Sequence, residues 1–480
     1  MKRIIYGLIF AASLGACEKK IVDLDPIDLI PAEKAIQNMT DVQNGVFGVY
    51  GTWSARRSVY ISSLISDEVR LGIGAEYRNV GNILFNWQHV SDSQDWRDGE
   101  TGGVWTNLYA VIDRANRILE LMAPIPTTTA AEALLKPQLR GELLALRGFA
   151  HLELLRVYGA AGVYDPAALG VTVLTSFVKA PGTYKSTRNT YAEVMTSVNA
   201  DFAEARTLIP TSFIDIGRVT RNAVIGMQVR AAIFSGQWQN AIDRAGEILT
   251  LQPISTGAAY TNIWVTRTLP ANQTTEVIWK LNIQQSNLGS NIGNLWQDNP
   301  PTGAVQASPA EKLMNTFDKV NDIRFNTFFK TTGRNLIAKY GFVNAANPSE
   351  NFQYDIKMLR SSDMLLSRAE AYAELNQLPQ ANADLNTLRA ARITGNTPVN
   401  IADKATLVAA ILLERYKEVC YEGHRYFDLK RKGLPILRNL SDVAGVAGIQ
   451  TLEPANDKYI IPIPQQEIFA NPTLVQNKGY

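Results

Sequence analysis

The chain has 480 residues and a formal net charge of +2, with 46% hydrophobic and 19% charged residues. The positive excess resides in Lys2 and Arg3; residues 1–16 contain no acid, and beyond them basic and acidic groups balance. A balanced body with no long basic run excludes nucleic acid as an expected partner, and two cysteines, Cys17 and Cys420, exclude a disulfide framework or a cysteine-ligated zinc site.

The first segment reads as an address. Lys2-Arg3 precedes an apolar stretch, Ile4 to Leu14, that is shorter than the roughly 20 residues a membrane-spanning helix needs. It ends Leu14-Gly15-Ala16-Cys17, which resembles a bacterial lipobox: a branched apolar residue, two small residues, then cysteine. That resemblance implies cleavage after residue 16 and acylation at Cys17, and several acyl chains on one residue anchor firmly. Residues 17–31, with Asp23, Asp25, Pro26 and Pro31, are expected to be an extended tether. Residues 32–480 are expected to form one body, with an N-terminal part at 32–215 and a C-terminal part at 270–480.

Along that body, apolar residues recur at three/four spacing and predict helices over 33–53, 103–122, 138–158, 190–208, 220–235, 238–251, 363–376, 379–392 and 404–421. Thr190 and Glu193 form a capping-box pattern, and Pro210 closes that helix. Between the helices lie long irregular stretches at 70–100, 160–189, 252–310 and 331–357, with a short strand expected at Glu276–Leu281. Two helix pairs carry small and apolar residues at the offsets of a tetratricopeptide repeat: Val229, Ala232, Ala241, Ala245 and Ile248, then Ala369, Tyr372, Ala381, Leu385 and Leu388.

Catalytic patterns are missing. The three histidines, His89, His151 and His424, fall in no HExxH or other metal spacing, and neither G-x-S-x-G nor a Walker A sequence occurs. Cys420 sits in an apolar helical run and reads as core. The expectation is a protein that is not an enzyme, with no cofactor and no metal. A hydrolase working with two carboxylates stands as the opposing alternative, since no residue count excludes one.

Several blocks then resemble the SusD/RagB family of outer-membrane lipoproteins. These are the lipobox; Asn44-Gly45-Val46-Phe47-Gly48-Val49-Tyr50; Ser66-Asp67-Glu68; Trp105-Thr106-Asn107-Leu108-Tyr109; and Gly141 to Ala150. Further on come Asn321-Asp322-Ile323-Arg324, Leu366 to Tyr372, Glu422-Gly423-His424-Arg425-Tyr426-Phe427-Asp428-Leu429, and Ile461-Pro462-Ile463-Pro464 through to Tyr480. The resemblance implies a mainly α, SusD-like fold: tetratricopeptide-like helix pairs plus a loop-rich lobe with a few short strands. It implies a lipoprotein on the exterior face of the cell outer membrane that binds oligosaccharide and delivers it to a SusC-like TonB-dependent transporter. A peptide-capturing member of the family and a tetratricopeptide scaffold that binds only protein are the alternatives. Glu18 is followed by Lys19-Lys20, a departure from the acidic run that surface-exported relatives carry after the lipidated cysteine.

A glycan offers apolar C–H faces and vicinal hydroxyls, so it calls for exposed aromatic platforms and polar forks. Tyr77, Trp87 and Trp96 lie in one polar, Asn-rich stretch and Trp296 in another, and these are the candidate platforms. Asp67 follows the apolar run Ile61–Ile65, and Arg368 sits in an apolar helix where Asp363 or Glu370 could pair with it. In the family these two positions can line the ligand pocket. Trp53, Trp105, Trp238, Trp264 and Trp279 fall in helix or strand patterns and read as core. Glu414, Arg415, Glu422, Arg425 and Asp428 are expected to tie the last helices together by ion pairs.

Overall fold

The amphipathic patterns become a continuous layer of packed helices. A computed structural model of the chain describes residues 35–72, 77, 81–91, 101–178, 184–272, 274–282, 292–296, 304–341, 353–443 and 449–480. Cys17 and the rest of the first 34 residues lie outside them.

The first half runs α1 (Met39–Thr52), α2 (Ala55–Ile65), β1 (Val69–Arg70), α3 (Asn82–Phe85), α4 (Thr101–Met122), α5 (Ala130–Tyr158), α6 (Tyr191–Leu208), α7 (Arg221–Phe234), α8 (Trp238–Leu251) and α9 (Gly257–Val265). There follow β2 (Val277–Leu281), β3 (Ser308–Pro309), α10 (Glu311–Met314), α11 (Ile323–Phe328), β4 (Phe329–Lys330), β5 (Leu336–Ile337) and β6 (Ile356–Arg360). The chain ends with α12 (Ser361–Glu374), α13 (Leu378–Arg392), α14 (Lys404–Glu418), α15 (Arg425–Lys432), β7 (Ile436–Leu437), α16 (Leu440–Val443), β8 (Thr451–Leu452) and α17 (Gln465–Ala470).

Local chemistry sets the helix boundaries. The capping box predicted at Thr190 and Glu193 is present, and Thr129 with Glu132 makes a second one. That second cap starts α5 eight residues before the predicted boundary, because Pro137 is carried inside the helix rather than opening it. The sequence pattern misses α2 because residues 59–65 are all buried, which leaves no polar face to give a stripe.

Packing runs in order: α1 on α4, then α4, α5, α6, α7 and α8 each on the next, with α8 against α12 and α12 against both α13 and α14. The two tetratricopeptide-like pairs, α7–α8 and α12–α13, are far apart in sequence and adjoin in space through α8 and α12. Glycine permits the closest approach in this layer. A Cβ at Gly141 would stand 2.8 Å from Ile209 Cγ1, and one at Gly148 3.0 Å from Asp201 Cβ.

The strands form four two-stranded antiparallel pairs, β1–β3, β2–β6, β4–β5 and β7–β8. β2, the strand expected from Glu276–Leu281, is buried along its whole length and pairs Leu281 with Ile356. The C-terminal segment clasps the helical layer: Asn477 Nδ2 donates to the carbonyls of Tyr158 (2.9 Å) and Ile461 (2.7 Å), and Arg188 donates to Asn477 Oδ1 (2.8 Å). Among the described residues, no helix is long and apolar enough to cross a membrane.

Candidate functional site

α2 stops at Ile65 and the chain turns through Ser66-Asp67-Glu68 into β1. Asp67 is 1% exposed. Arg425, the first residue of α15, forks onto it with Nε–Oδ1 at 2.7 Å and Nη2–Oδ2 at 2.9 Å, and Lys312 Nζ adds a bond of 2.7 Å. Burial by itself would raise this carboxyl; Arg425, then Lys312, holds it down at about 2. Glu68 beside it receives Ser63 Oγ–H at 2.7 Å and the Tyr421 N–H at 3.1 Å and has no cation bonded to it among the described residues; burial pushes it up to about 7. Asp67 therefore closes the fold as a salt bridge, and its oxygens are already spent on two cations.

Arg368 has the same fate. Its guanidinium forks onto Asp384 of α13 at 2.8 and 2.7 Å. The partners expected from sequence go elsewhere, Asp363 to Arg415 and Glu370 to Arg431. Arg368 staples α12 to α13 and lines none of the cavities described below.

Behind both stands a buried ionic lattice. Arg324, Arg360 and Arg392, all fully buried, share Glu418; Arg324 also reaches Glu414 and Asp322, Arg360 reaches Glu276 and Glu422, and Arg392 reaches Glu276. Of the ion pairs expected among the C-terminal charges, Arg415–Asp428 forms at 3.2 Å, whereas Arg425 turns to Asp67, and Glu414 and Glu422 turn to this lattice. Such groups tolerate burial only because every charge has hydrogen-bonded partners. Among the described residues no His, Cys, Asp and Glu cluster could hold a metal.

Two candidate tryptophans prove to be core. Trp87 is 5% exposed, donates Nε1–H to the Ile65 carbonyl at 2.9 Å, and lies 4.3 Å under the Arg438 guanidinium. Arg438 is itself tied to the carbonyls of Leu64, Ile65, Ser66 and Phe85. Trp296 is fully buried with its ring centroid 5.8 Å from that of Tyr421. Neither ring offers a face to a ligand, because each indole is turned inward. Trp96 lies outside the described residues. Trp53, Trp105, Trp264 and Trp279 are buried as expected, and Trp238 is half-buried.

Tyr77 differs. It is half-buried, its hydroxyl lies 3.2 Å from Ser308 Oγ, and its backbone bridges to Val305. Ser308 is paired with Arg70 across β1 and β3, and Arg70 holds Glu311 at 3.1 Å with both side chains partly in solvent. The ring rests over Gly72, where a Cβ would run into it. An aromatic ring seated on a glycine, with a guanidinium and a carboxylate beside it, has the components of a saccharide ledge.

A separate cavity of about 610 Å³ opens between α9 and α11, within the range of about 300–1,000 Å³ typical of ligand sites. Its walls include Trp264, Val265, Asn321, Asn326, Thr327 and Tyr354. Trp264 Nε1 is buried without a hydrogen-bond partner among the described residues. Sequence reasoning placed Trp264 in the core, which is correct, and missed that the same residue also walls a cavity. The signal available was the two carboxamides and one hydroxyl of Asn321, Asn326 and Thr327 within one short segment.

Comparison with known proteins fits this fold. The family model described as "SusD family" matches residues 314–480, and the one described as "Starch-binding associating with outer membrane" matches residues 59–232. A SusD-like protein of Formosa agariphila is 23% identical over 430 residues, covering 78% of this chain and 79% of that protein. Among solved structures, a putative sugar binding protein from Bacteroides vulgatus superposes with a TM-score of 0.77 at 22% identity, covering 93% of this chain and 99% of that one. A SusD superfamily protein from Bacteroides thetaiotaomicron gives 0.77 at 22%, covering 92% and 99%, and a laminarin binding SusD-like protein gives 0.70 at 18%, covering 93% and 100%. At these identities the structural likenesses speak for the fold.

Proposed function

Because the chain belongs to the SusD/RagB family, a carbohydrate-binding family associated with the outer membrane whose members bind rather than catalyse, we propose that it captures an oligosaccharide at the Tyr77 ledge and passes it to a SusC-like TonB-dependent transporter. Acyl chains on Cys17 would hold it at the membrane, facing outward. The observation that carries this reading is the half-buried Tyr77 ring seated on Gly72, its hydroxyl on Ser308, whose cross-strand partner Arg70 holds Glu311. Similarity to a laminarin binding protein supports a glycan as the first ligand to try. The charge balance of the body suits an uncharged ligand.

The test is calorimetric titration with a panel of neutral oligosaccharides and, alongside, oligopeptides. Tyr77→Ala is expected to weaken binding at least about tenfold, which is about 1.4 kcal/mol, with an unchanged unfolding midpoint. Binding of peptides alone would select the peptide-capturing alternative. Loss of an acylated species in Cys17→Ala, and co-purification of the wild type with a barrel transporter in mild detergent, test the anchor and the partner.

A second reading seats the glycan in the cavity beside Trp264, favoured by its unpartnered indole N–H and by the amides and hydroxyls of Asn321, Asn326 and Thr327. Weakened binding in Asn326→Ala together with full affinity in Tyr77→Ala would select it.

A further inference from the structure

A smaller cavity, about 120 Å³, lies among the end of α5, the 160–168 segment, the start of α6 and α15. Its walls carry three cations, Arg156, Lys430 and Arg431, and the rings of Tyr164, Tyr191 and Phe234. The one acidic wall residue, Asp165, is exposed and accepts from the N–H of Ala167 in its own turn.

The charge here does not close. Arg431 is neutralised by Glu370 and Asp428. Arg156, 3% exposed, gives Nη1 to Glu153 and Nη2 to the Gly423 carbonyl, but its Nε is buried with no acceptor among the described residues. It also shares Glu153 with Arg230. Lys430, 3% exposed, gives Nζ to the carbonyls of Arg156 and Val157, both at 2.9 Å, and has no bonded carboxylate among the described residues. An ammonium has three donors, so one remains. Arg188 nearby bonds, among the described residues, only carbonyls and Asn477 Oδ1. Burial, followed by the like charges of Arg188 and Arg156, pulls Lys430 down to about 7.

Capping explains part of this. Lys430 satisfies carbonyls at the end of α5, where a cation also suits the helix dipole. Capping accounts for neither the third ammonium donor, nor the Arg156 Nε without an acceptor among the described residues, nor a cavity lined by both residues with room for about four waters at roughly 30 Å³ each.

We propose that this cavity is an oxyanion site, which takes a carboxylate, sulfate or phosphate group as acceptor for Arg156 Nε and Lys430 Nζ. The group arrives either as a free inorganic ion or as the charged substituent of a sugar. Ala160, Ala161 and Gly162 at its wall are partly solvent-exposed, and Val163 is 79% exposed, so the cavity communicates with the surface. The site is independent of the Tyr77 ledge.

The experiment is thermal unfolding at constant ionic strength, with sodium chloride exchanged stepwise for sodium sulfate, sodium phosphate, sodium acetate or sodium glucuronate. The wild type is expected to show a saturable rise in midpoint with at least one of these. Lys430→Met removes a donor, and Ala161→Leu fills the mouth while leaving every buried charge in place; each should raise the half-saturating concentration at least tenfold. Should Lys430→Met fail to fold, Ala161→Leu carries the test alone. Half-saturation at lower glucuronate than sulfate or phosphate identifies a sugar acid, and the reverse order a free inorganic ion. A non-saturable response, or Ala161→Leu responding as the wild type does, overturns the proposal. Unchanged neutral-oligosaccharide binding in Ala161→Leu keeps this result separate from the Tyr77 reading.

Discussion

Asp67 and Arg425 are joined by two hydrogen bonds, 2.7 and 2.9 Å long, between residues 358 positions apart. The pair ties the end of α2 to the start of α15, and the Arg425 guanidinium also lies 4.0 Å over the Tyr416 ring. Removing one member strands the other in a dry site. Arg425→Met is expected to cost about 3–5 kcal/mol in urea unfolding. A cost below about 1 kcal/mol would mean Lys312 alone suffices for Asp67.

The neighbouring carboxyls Asp67 and Glu68 respond to pH in opposite senses. Asp67 is depressed from 3.8 to about 2, so its contribution is present above 3.8 and is lost as pH falls through 2. Glu68 is raised from 4.5 to about 7, so its contribution is full below 4.5 and is lost as pH rises through 7. Glu68→Gln should therefore gain stability relative to wild type between pH 5 and pH 8. Denaturant titrations at the two pH values that give the same difference would contradict the assignment.

Trp87 and Trp296 are core side chains, so truncation should act on stability. Trp87→Ala and Trp296→Ala are each expected to lose about 3–5 kcal/mol, with saccharide affinity per folded molecule unchanged. A variant that unfolds at the wild-type midpoint yet binds no glycan would restore the platform role that the burial of these rings removes.

Glycines on the helices divide into two kinds. Gly148 faces Asp201 and Phe202 of α6, and Gly48 in α1 has nothing within 4 Å of a built Cβ. Gly148→Leu should destabilise by about 1–3 kcal/mol through overpacking. Gly48→Ala should stabilise by about 0.5–1 kcal/mol through helix propensity. Thermal melts of the two variants that shift in the same direction would refute the distinction.

The long helices were legible because their periodicity and caps are local properties: Thr190 with Glu193, or Ala241 with Ala245, states its role within a few residues. The tryptophans were not. A polar neighbourhood in sequence says where the backbone runs, whereas Trp87 is drawn inward by Arg438, more than 300 residues away. The ion lattice was half-legible. Charges at Glu414, Arg415, Glu422, Arg425 and Asp428 sit too close to apolar residues to form a solvated face, but their partners Asp67, Arg324 and Arg360 come from other segments. Arg368 shows the limit: its near neighbours Asp363 and Glu370 were plausible, and the structure hands both to other arginines.

The clasp of Asn477 on Tyr158 and Arg188 has a temporal meaning. The carbonyl of Tyr158 and the guanidinium of Arg188 meet a residue made 319 and 289 positions after them. Asp67 likewise waits for Arg425. Contacts of such separation form late and slowly, so the N-terminal helices emerge long before the groups that finish them exist. Synthesis of the N-terminal helices and completion of their contacts are thereby separated in time.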